Sequence, residues 1–304
     1  MEIREIFQLR KDGKIEEAYA AIRPAYAQHK GHYTTICMFW VASDILHKRL
    51  DAGQQKEAAG IFNALCRLYP TMDDGDGKGR QAILRAALAL SEKMKIFSML
   101  DFLQTWDVEQ LGEDDWKGAT ANGHPVPSLG QRIVSRVFHE VNEKPTVENA
   151  LKEMPLLKVA LQHGRYQLAT QRLLALNYRI MDERAKAADV YRQLLQHHHQ
   201  SYLYSELAAL TDNRQEIIHL LCQALFTQRD EKFSITTRLR LALILEQSAP
   251  RHARYEADKC IATCQAAGYK IPVALSQLVT RLQKVTPVSE QEERAFYQGC
   301  GNEE

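Results

Sequence analysis

Between residues 41 and 70, apolar side chains recur every three or four positions in two runs separated by a polar turn. The first run ends at Leu50, the second begins at Ala58, and Gly53 stands between them. This period is typical of α-helices, and glycine between two such runs indicates a tight turn. Pro70 marks the end of the second helix. The stretch therefore predicts an antiparallel helical hairpin.

The second helix of this hairpin follows a fixed order, with a small residue first and bulkier residues after it. Alanine comes five residues after Gly53, followed by Phe62 and Leu65. A small side chain lets two helices cross closely, and a bulky residue one turn later fills the space beside the crossing. The same order recurs at Gly13, Ala18, Ile22 and Ala25, at Asp182, Ala187, Tyr191 and Leu194, and less fully at Ile217, Leu221 and Ala224 and at Ala257, Ile261 and Cys264.

This arrangement resembles the tetratricopeptide repeat, a helix pair of about 34 residues. The resemblance is clearest in residues 33–70 and 166–199. It implies an all-α fold, an α–α superhelix of about six hairpins. Because one hairpin cannot bury its apolar face alone, its neighbours must stack on it. The amphipathic segment 272–284 is expected to cap the last repeat.

Four segments are expected along the chain. Residues 1–110 and 131–286 are predicted to hold the repeats, with the capping helix at the end of the second segment. Residues 111–130 are rich in glycine and proline and predict an irregular loop. Residues 287–304 predict a polar tail with one short helix.

Two prolines interrupt helical patterns within these segments. Pro24 and Pro155 each lie inside a predicted helix. Proline lacks the backbone N–H and its ring clashes with the preceding turn. A bend is therefore expected at Pro24, and a kink or a break at Pro155.

The composition is that of an ordinary soluble globular protein, with 45% hydrophobic and 25% charged residues and a net charge of +1. The charge is unevenly distributed, because residues 158–286 contain 18 Lys and Arg against 11 Asp and Glu. Such an excess indicates an anionic partner or, alternatively, a solvated outer helix face.

The segments that would target a protein to a membrane or for secretion are not recognisable. The six cysteines are scattered, a pattern typical of proteins in a reducing compartment. The first residues alternate charged and apolar side chains, unlike a secretory signal. The longest apolar run, residues 36–42, is too short to cross a bilayer. These features predict a cytoplasmic protein without membrane contact.

No catalytic or phosphate-binding motif stands out, so neither enzymatic activity nor a cofactor or metal is predicted. Cys260 and Cys264 lie one turn apart, but a complete metal-ligand set is not evident and burial is favoured. The consecutive histidines 197–199 would point about 100° apart on a helix, which favours a polar helix end. His124 in the 111–130 segment is the remaining candidate for an enzyme site, and packing of that segment across the array is the alternative.

Seven residues on the predicted first helices of the hairpins are expected to face a groove and to contact a partner: Ser43, His47, Arg165, Arg172, Arg179, Tyr202 and Glu206. The three arginines recur every seven residues, so they share one helix face and suit a carboxylate or phosphate. A solvated helix face is the alternative. Some tetratricopeptide proteins hold a C-terminal carboxylate through a Lys/Asn/Arg set. That activity is not transferred, because Leu176 stands where the asparagine is required.

The sequence therefore predicts a non-catalytic scaffold that binds a peptide or protein in the concave groove of a tetratricopeptide-like array. The alternative is a nucleic-acid-associated helical module of a larger bacterial protein, which the basic C-terminal half motivates. Aromatic residues do not interleave with the Arg and Lys of that half as a base-stacking surface requires. The identity of the partner does not follow from the sequence.

Overall fold

The structure, a computed structural model, describes residues 1–108, 111–121, 123–163 and 167–299. The chain divides into two compact units, Met1–Arg165 and Tyr166–Glu304, here called unit 1 and unit 2. The described part of both units is built almost wholly from α-helices, which confirms the all-α class. None of the described helices is both long and apolar enough to cross a membrane.

Unit 1 contains eight α-helices and a two-stranded antiparallel hairpin among its described residues. The helices are α1 (Ile3–Lys11), α2 (Ile15–Gln28), α3 (His32–Asp51), α4 (Gln55–Leu68), α5 (Lys78–Lys93), α6 (Met99–Thr105), α7 (Leu129–Glu143) and α8 (Val147–Gln162). The strands are β1 (Ala119–Ala121) and β2 (His124–Val126).

Unit 2 contains eight further α-helices among its described residues. They are α9 (Gln167–Ile180), α10 (Arg184–Leu195), α11 (Ser201–Ala208), α12 (Arg214–Thr227), α13 (Ile235–Leu245), α14 (Pro250–Ala267), α15 (Val273–Arg281) and α16 (Glu290–Gly299). From α9 to α15 each helix packs against the next one in the chain, and α16 packs against α12.

Three hairpins are closed by the same backbone turn. Gly13, Gly53 and Asp182 have φ of 75°, 74° and 58°, in the left-handed region that glycine enters most easily. In each turn the residue after the left-handed one donates its N–H to the carbonyl oxygen five residues earlier. Gln54 donates to Arg49 at 2.8 Å, and Glu183 donates to Tyr178 at 2.9 Å. This is the Schellman arrangement that ends helices. Asp182, which occupies the position that glycine has in the other two turns, thus adopts the same backbone conformation.

The alanines predicted at the helix crossings lie in the core. Ala58 and Ala187 have no exposed surface, and Phe62 and Tyr191, one turn later, are buried beside them. Each alanine stands on the second helix of a hairpin, which packs tightly against the first. Replacing the methyl group with a larger side chain would push the two helices apart.

Segment 111–130 differs from the predicted irregular loop. Glu113–Trp116 forms a 3₁₀ turn, and the strands β1 and β2 follow it. Trp116 is buried and stacks on His163, with the ring centroids 5.1 Å apart. Its indole also lies so close to Gly130 that a Cβ atom at that position would be only 2.5 Å from it. The segment therefore packs onto unit 1, and the boundary between the units lies between residues 165 and 166.

The two internal prolines do not break their helices. α2 continues through Pro24 and α8 through Pro155. A break at Pro155, one of the two outcomes expected there, is therefore wrong.

Helix α16 belongs to the folded body of unit 2, which the expectation of a polar tail missed. Arg238 donates to Glu256 at 2.8 Å and to Tyr297 at 3.1 Å, and Tyr297 in turn donates to Glu256. The Glu256 side chain is fully buried and that of Arg238 is 7% exposed. Burial raises the pKa of Tyr297, so the phenol stays protonated and remains a donor. We call Arg238, Glu256 and Tyr297 the α16 cluster.

A second contact holds the same helix. Glu293 is buried and lies 2.5 Å from Nδ1 of His252, and the imidazole stacks on Phe296 at 4.2 Å. Two residues of α16 one turn apart, Glu293 and Tyr297, thus attach the helix to the rest of unit 2 through buried polar contacts.

The alanine crossings predict the effect of overpacking. We expect Ala58→Leu and Ala187→Leu each to lower the free energy of unfolding by about 1–3 kcal/mol, because the added carbons have no space. Urea denaturation followed by circular dichroism measures this. Ala64→Leu is the matched control, since Ala64 is exposed on the same helix as Ala58. Equal stability of Ala58→Leu and Ala64→Leu would contradict the close crossing.

The α16 cluster predicts a large effect of one conservative substitution. Glu256→Gln leaves the buried Arg238 paired only with Glu231, whose side chain is 61% exposed, and should lower the free energy of unfolding by about 3 kcal/mol. Glu92→Gln is the control, because Glu92 pairs with Arg132 on the surface at 3.3 Å and such pairs contribute less than about 1 kcal/mol. Similar losses in the two variants would show that burial of the cluster does not matter.

Candidate functional site

Three of the predicted contact residues lie together in unit 2. Arg172 on α9 donates to Glu206 on α11, with Nε–Oε2 at 3.0 Å and Nη2–Oε1 at 2.5 Å. Its guanidinium lies 4.8 Å from the ring centroid of Tyr202. The hydrogen bonds to Glu206 raise the pKa of Arg172. Arg172 is therefore neutralised within the chain.

This pairing corrects the expectation of an anion-binding arginine stripe. Arg179 is exposed and Arg165 lies outside the described residues. The carboxylate needed to satisfy Arg172 comes from Glu206, which had been expected to contact a partner itself. Glu206 occupies Nε and Nη2 of the Arg172 guanidinium and joins α9 to α11, so the pair is a structural connection between successive hairpins.

The same connection occurs in unit 1. Arg10 on α1 donates to Asp44 on α3 at 2.6 Å, and the two residues are 34 positions apart, as are Arg172 and Glu206. One repeat length separates successive first helices, so a residue faces its counterpart 34 positions later. Both pairs therefore join adjacent hairpins.

The two candidates on α3 are less accessible than expected. Ser43 is 6% exposed, so it belongs to the packing surface and cannot contact a partner. His47 is half-buried, and burial lowers its pKa, opposed by the nearby Asp51 and Asp44. The sequence pattern placed both residues on the groove face because it did not show that α5 packs against α3.

The other candidates for chemistry hold no assembled site in the described residues. Cys260 and Cys264 are buried, as expected. His124 is exposed on β2. His199, just beyond the end of α10, hydrogen-bonds the Tyr204 hydroxyl at 2.9 Å. The described part of the chain contains no group of three or more His, Cys, Asp or Glu placed to hold a metal ion.

A groove on the first helices of unit 1 is a feature that the sequence did not reveal. Helix α3 packs against α1 on one side and α5 on the other. A pocket of about 980 Å³ lies between α1 and α3. Its apolar and aromatic members are Ile3, Phe7, Tyr33, Ile36 and Trp40.

A second pocket, of about 460 Å³, adjoins the first across α3 and lies over residues 72–78, the approach to α5. Three residues of α3, His32, Ile36 and Trp40, line both pockets. We call the two pockets together the α3 groove. Its floor is the apolar ridge of Ile36 and Trp40.

Trp40 is held in place by its neighbours. The edge of Phe39 meets its ring at 5.3 Å, and the Arg10 guanidinium lies 5.5 Å from its centroid. Arg10 is itself held by Asp44 at 2.6 Å, so both neighbours of the indole are themselves packed or hydrogen-bonded. An aromatic side chain fixed in this way is suited to anchor a ligand, because little conformational freedom is lost on binding.

The two ends of the α3 groove carry opposite charge. The pocket beside α1 is lined by Arg4, Arg10 and Lys11 and by no carboxylate. Arg10 is paired with Asp44, whereas Arg4 and Lys11 are exposed and form no ion pair within the described residues. The groove therefore offers two free cations at this end.

The pocket over residues 72–78 is lined by three aspartates and one lysine. Asp74 accepts backbone N–H bonds from Gly79 and Arg80 at 2.7 and 2.8 Å and so caps α5. Asp76 pairs with Lys78 at 2.7 Å. Asp73 is exposed and, among the described residues, forms no ion pair. One free carboxylate thus remains at this end.

A weak signal for the groove was present in the sequence. Helix α1 alternates apolar and basic residues, as in Ile3-Arg4 and Phe7 to Lys11, and Tyr33, Ile36 and Trp40 share a helical face of α3. The sequence pattern predicts a binding face one turn further along α3, at Ser43 and His47. The packing of α5 decides between the two positions, and it is not readable from α3 alone.

Residues 164–301 match the profile of a family described as a domain of unknown function, DUF7017. This match covers nearly the same residues as unit 2, Tyr166–Glu304. No curated protein and no solved structure matches the chain significantly.

The structural role of the Arg172–Glu206 pair is testable by a double-mutant cycle. We expect Arg172→Met and Glu206→Gln to be coupled by about 0.5–1 kcal/mol in urea denaturation, because the pair is only partly shielded from water. Arg179→Met is the control on the same helix and should change stability by less than about 0.5 kcal/mol. A coupling energy of zero would show that Glu206 does not stabilise Arg172, and Arg172 would then be available to bind an anion.

Proposed function

We propose that the chain is a non-catalytic binding module, in which a tetratricopeptide-like array of hairpins holds a peptide segment of a partner protein in the α3 groove. The observation that carries the proposal is the groove itself. It combines a fixed, partly exposed tryptophan, further apolar side chains and unpaired charges on the first helices of unit 1. Recognition sites for chains and small molecules commonly combine an apolar floor with a few polar groups in this way.

Three features support the tetratricopeptide-like arrangement. Gly13, Gly53 and Asp182 close their hairpins with the same left-handed turn. Buried alanines stand at the helix crossings. Ion pairs join residues 34 positions apart on successive first helices. In arrays of this kind the first helices line the concave face, which is where α1, α3 and α5 would lie.

The exposed aromatic surface supports binding of a chain segment. Tyr33 is 73% exposed at the mouth of the groove, and Trp40 and Phe7 are only partly buried. Tyr and Trp side chains are enriched among the residues that contribute most to protein–protein binding. Covering these rings removes apolar surface from water, which favours association.

Nucleic acid is the second candidate. In the α3 groove, cations do interleave with aromatic side chains, as a surface for stacked bases requires. Two observations weigh against it. Aspartates line half of the groove, and the arginines of the basic segment 158–286 are largely paired: Arg172, Arg184, Arg192, Arg238, Arg254 and Arg281 all form ion pairs.

A selection experiment tests the proposed function. The purified full chain is panned against a displayed library of random twelve-residue peptides, and enriched peptides are synthesised with a fluorophore for anisotropy titrations. We expect binding to fall at least about tenfold, equivalent to about 1.4 kcal/mol, in Tyr33→Ala.

The matched control is Tyr269→Ala, because Tyr269 is a 56% exposed tyrosine in unit 2. It should bind within twofold of the unsubstituted chain. Failure to enrich any peptide, or equal affinity of Tyr33→Ala and the unsubstituted chain, would overturn the proposal. Tighter binding of a 20-nucleotide oligodeoxythymidine than of any peptide would favour the second candidate.

A further inference from the structure

We infer that the segment bound in the α3 groove is bipolar: an acidic residue lies against Arg4 and Lys11, apolar residues lie over Ile36 and Trp40, and a basic residue lies against Asp73. This inference rests on the proposed function and specifies the chemistry of the ligand. Nothing in the sequence pattern alone required it, because Asp73 follows α4 and the two cations belong to α1.

The cationic end has a defined requirement. The pocket beside α1 is lined by three cations and no carboxylate, in a chain whose net charge is only +1. Asp44 satisfies Arg10, so Arg4 and Lys11 are left for a ligand. A carboxylate placed between them gains two favourable interactions, whereas a basic residue there is repelled.

The acidic end has the opposite requirement. Asp74 is committed to the N-terminus of α5 and to the Tyr69 hydroxyl, which donates to it at 3.0 Å. Asp76 is committed to Lys78. Only Asp73 is free to pair with a ligand, and it accepts a lysine or arginine side chain. A phosphate or a second carboxylate would be repelled by all three aspartates.

The geometry fixes the approximate length of the segment. α3 is flanked by α1 and α5, and packed helices lie about 8–10 Å apart. A segment that crosses α3 from α1 to the approach to α5 therefore covers about 16–20 Å. At about 3.3 Å per extended residue, this distance corresponds to five or six residues.

The apolar ridge supplies the middle of the segment. Ile36 and Trp40 lie one turn apart and line both pockets, so a ligand that reaches both charged ends must pass over them. Three or four apolar residues between the charged ones would cover this ridge and give the length of about five or six residues. The inferred segment is thus an acidic residue, a short apolar stretch and a basic residue.

This chemistry distinguishes a peptide from a polyanion. A nucleic acid carries negative charge along its whole length, so its backbone would meet the aspartates after leaving Arg4 and Lys11. A bipolar peptide meets complementary charge at both ends. Substitution of Asp73 by lysine therefore has opposite effects on the two ligands.

The test uses peptides selected on the full chain from the random twelve-residue library. In anisotropy titrations at low salt, we expect Arg4→Glu combined with Lys11→Glu to weaken binding at least about tenfold, and Asp73→Lys to weaken it about three- to tenfold. Exchange of the peptide's acidic residue for lysine should restore binding to the first variant. Exchange of its basic residue for glutamate should restore binding to the second.

The controls carry the same charge changes outside the groove. Lys56→Glu with Arg67→Glu reverses two exposed cations on α4, and Glu113→Lys reverses an exposed carboxylate of unit 1. Each should bind within twofold of the unsubstituted chain. Thermal melting by circular dichroism confirms that every variant is folded, and the peptide exchanges report on pairing independently of stability.

The outcomes separate this inference from the proposed function. If selected peptides depend on Tyr33 but not on the charges at both ends, the bipolar ligand is wrong and the binding module stands. If no peptide is enriched, the proposed function is wrong, and the inference that rests on it is overturned as well. If oligodeoxythymidine binds, loses affinity in Arg4→Glu with Lys11→Glu and gains affinity in Asp73→Lys, the groove binds nucleic acid and the inference is overturned.

Discussion

The close crossing of two helices at a buried alanine is the contact on which both units depend. Ala58 and Ala187 have no exposed surface, and each lies on a helix that packs against the first helix of its hairpin. The left-handed turn sets the angle at which the second helix returns, so turn and crossing act together. A hairpin formed in this way still exposes one apolar face, and stacking of the next hairpin buries it. Hairpins closed by this turn occur in both units, at Gly13 and Gly53 in unit 1 and at Asp182 in unit 2.

Stacking also decides which charges are free to bind. One repeat length brings Arg10 to Asp44 and Arg172 to Glu206, so part of the polar face is used to join hairpins. In unit 2 this pairing removes the most promising cation from the surface. In unit 1 the same pairing fixes Trp40 through Arg10 and leaves the neighbouring Arg4 and Lys11 unpaired. The two units thus use one type of contact with different consequences for binding.

The sequence was sufficient for features set by local spacing. The helices, the turn at Asp182 and the buried alanines depend on residues within one hairpin, and the period of apolar residues records them. The α16 cluster was not predictable in this way, because Arg238 and Tyr297 are 59 residues apart. A tyrosine on the polar helix α16 and a glutamate on α14 indicate exposure until a buried arginine is known to face them. The same limitation explains why Glu206 was assigned to a partner and not to Arg172.

The position of the α3 groove has a similar explanation, and it bears on how the groove would discriminate among ligands. A helix pattern gives the direction of Tyr33, Ile36 and Trp40, but the packing of α1 and α5 decides which turn of α3 stays accessible. Arg4 and Lys11 come from one neighbour of α3, and Asp73 precedes the other. Because the charges belong to different elements while the apolar ridge belongs to α3, the ridge contributes affinity for many chains and the flanking charges select among them. A ligand that satisfies only one end gains the ridge contact but leaves the other charge without a partner, and this difference is the source of specificity in the groove.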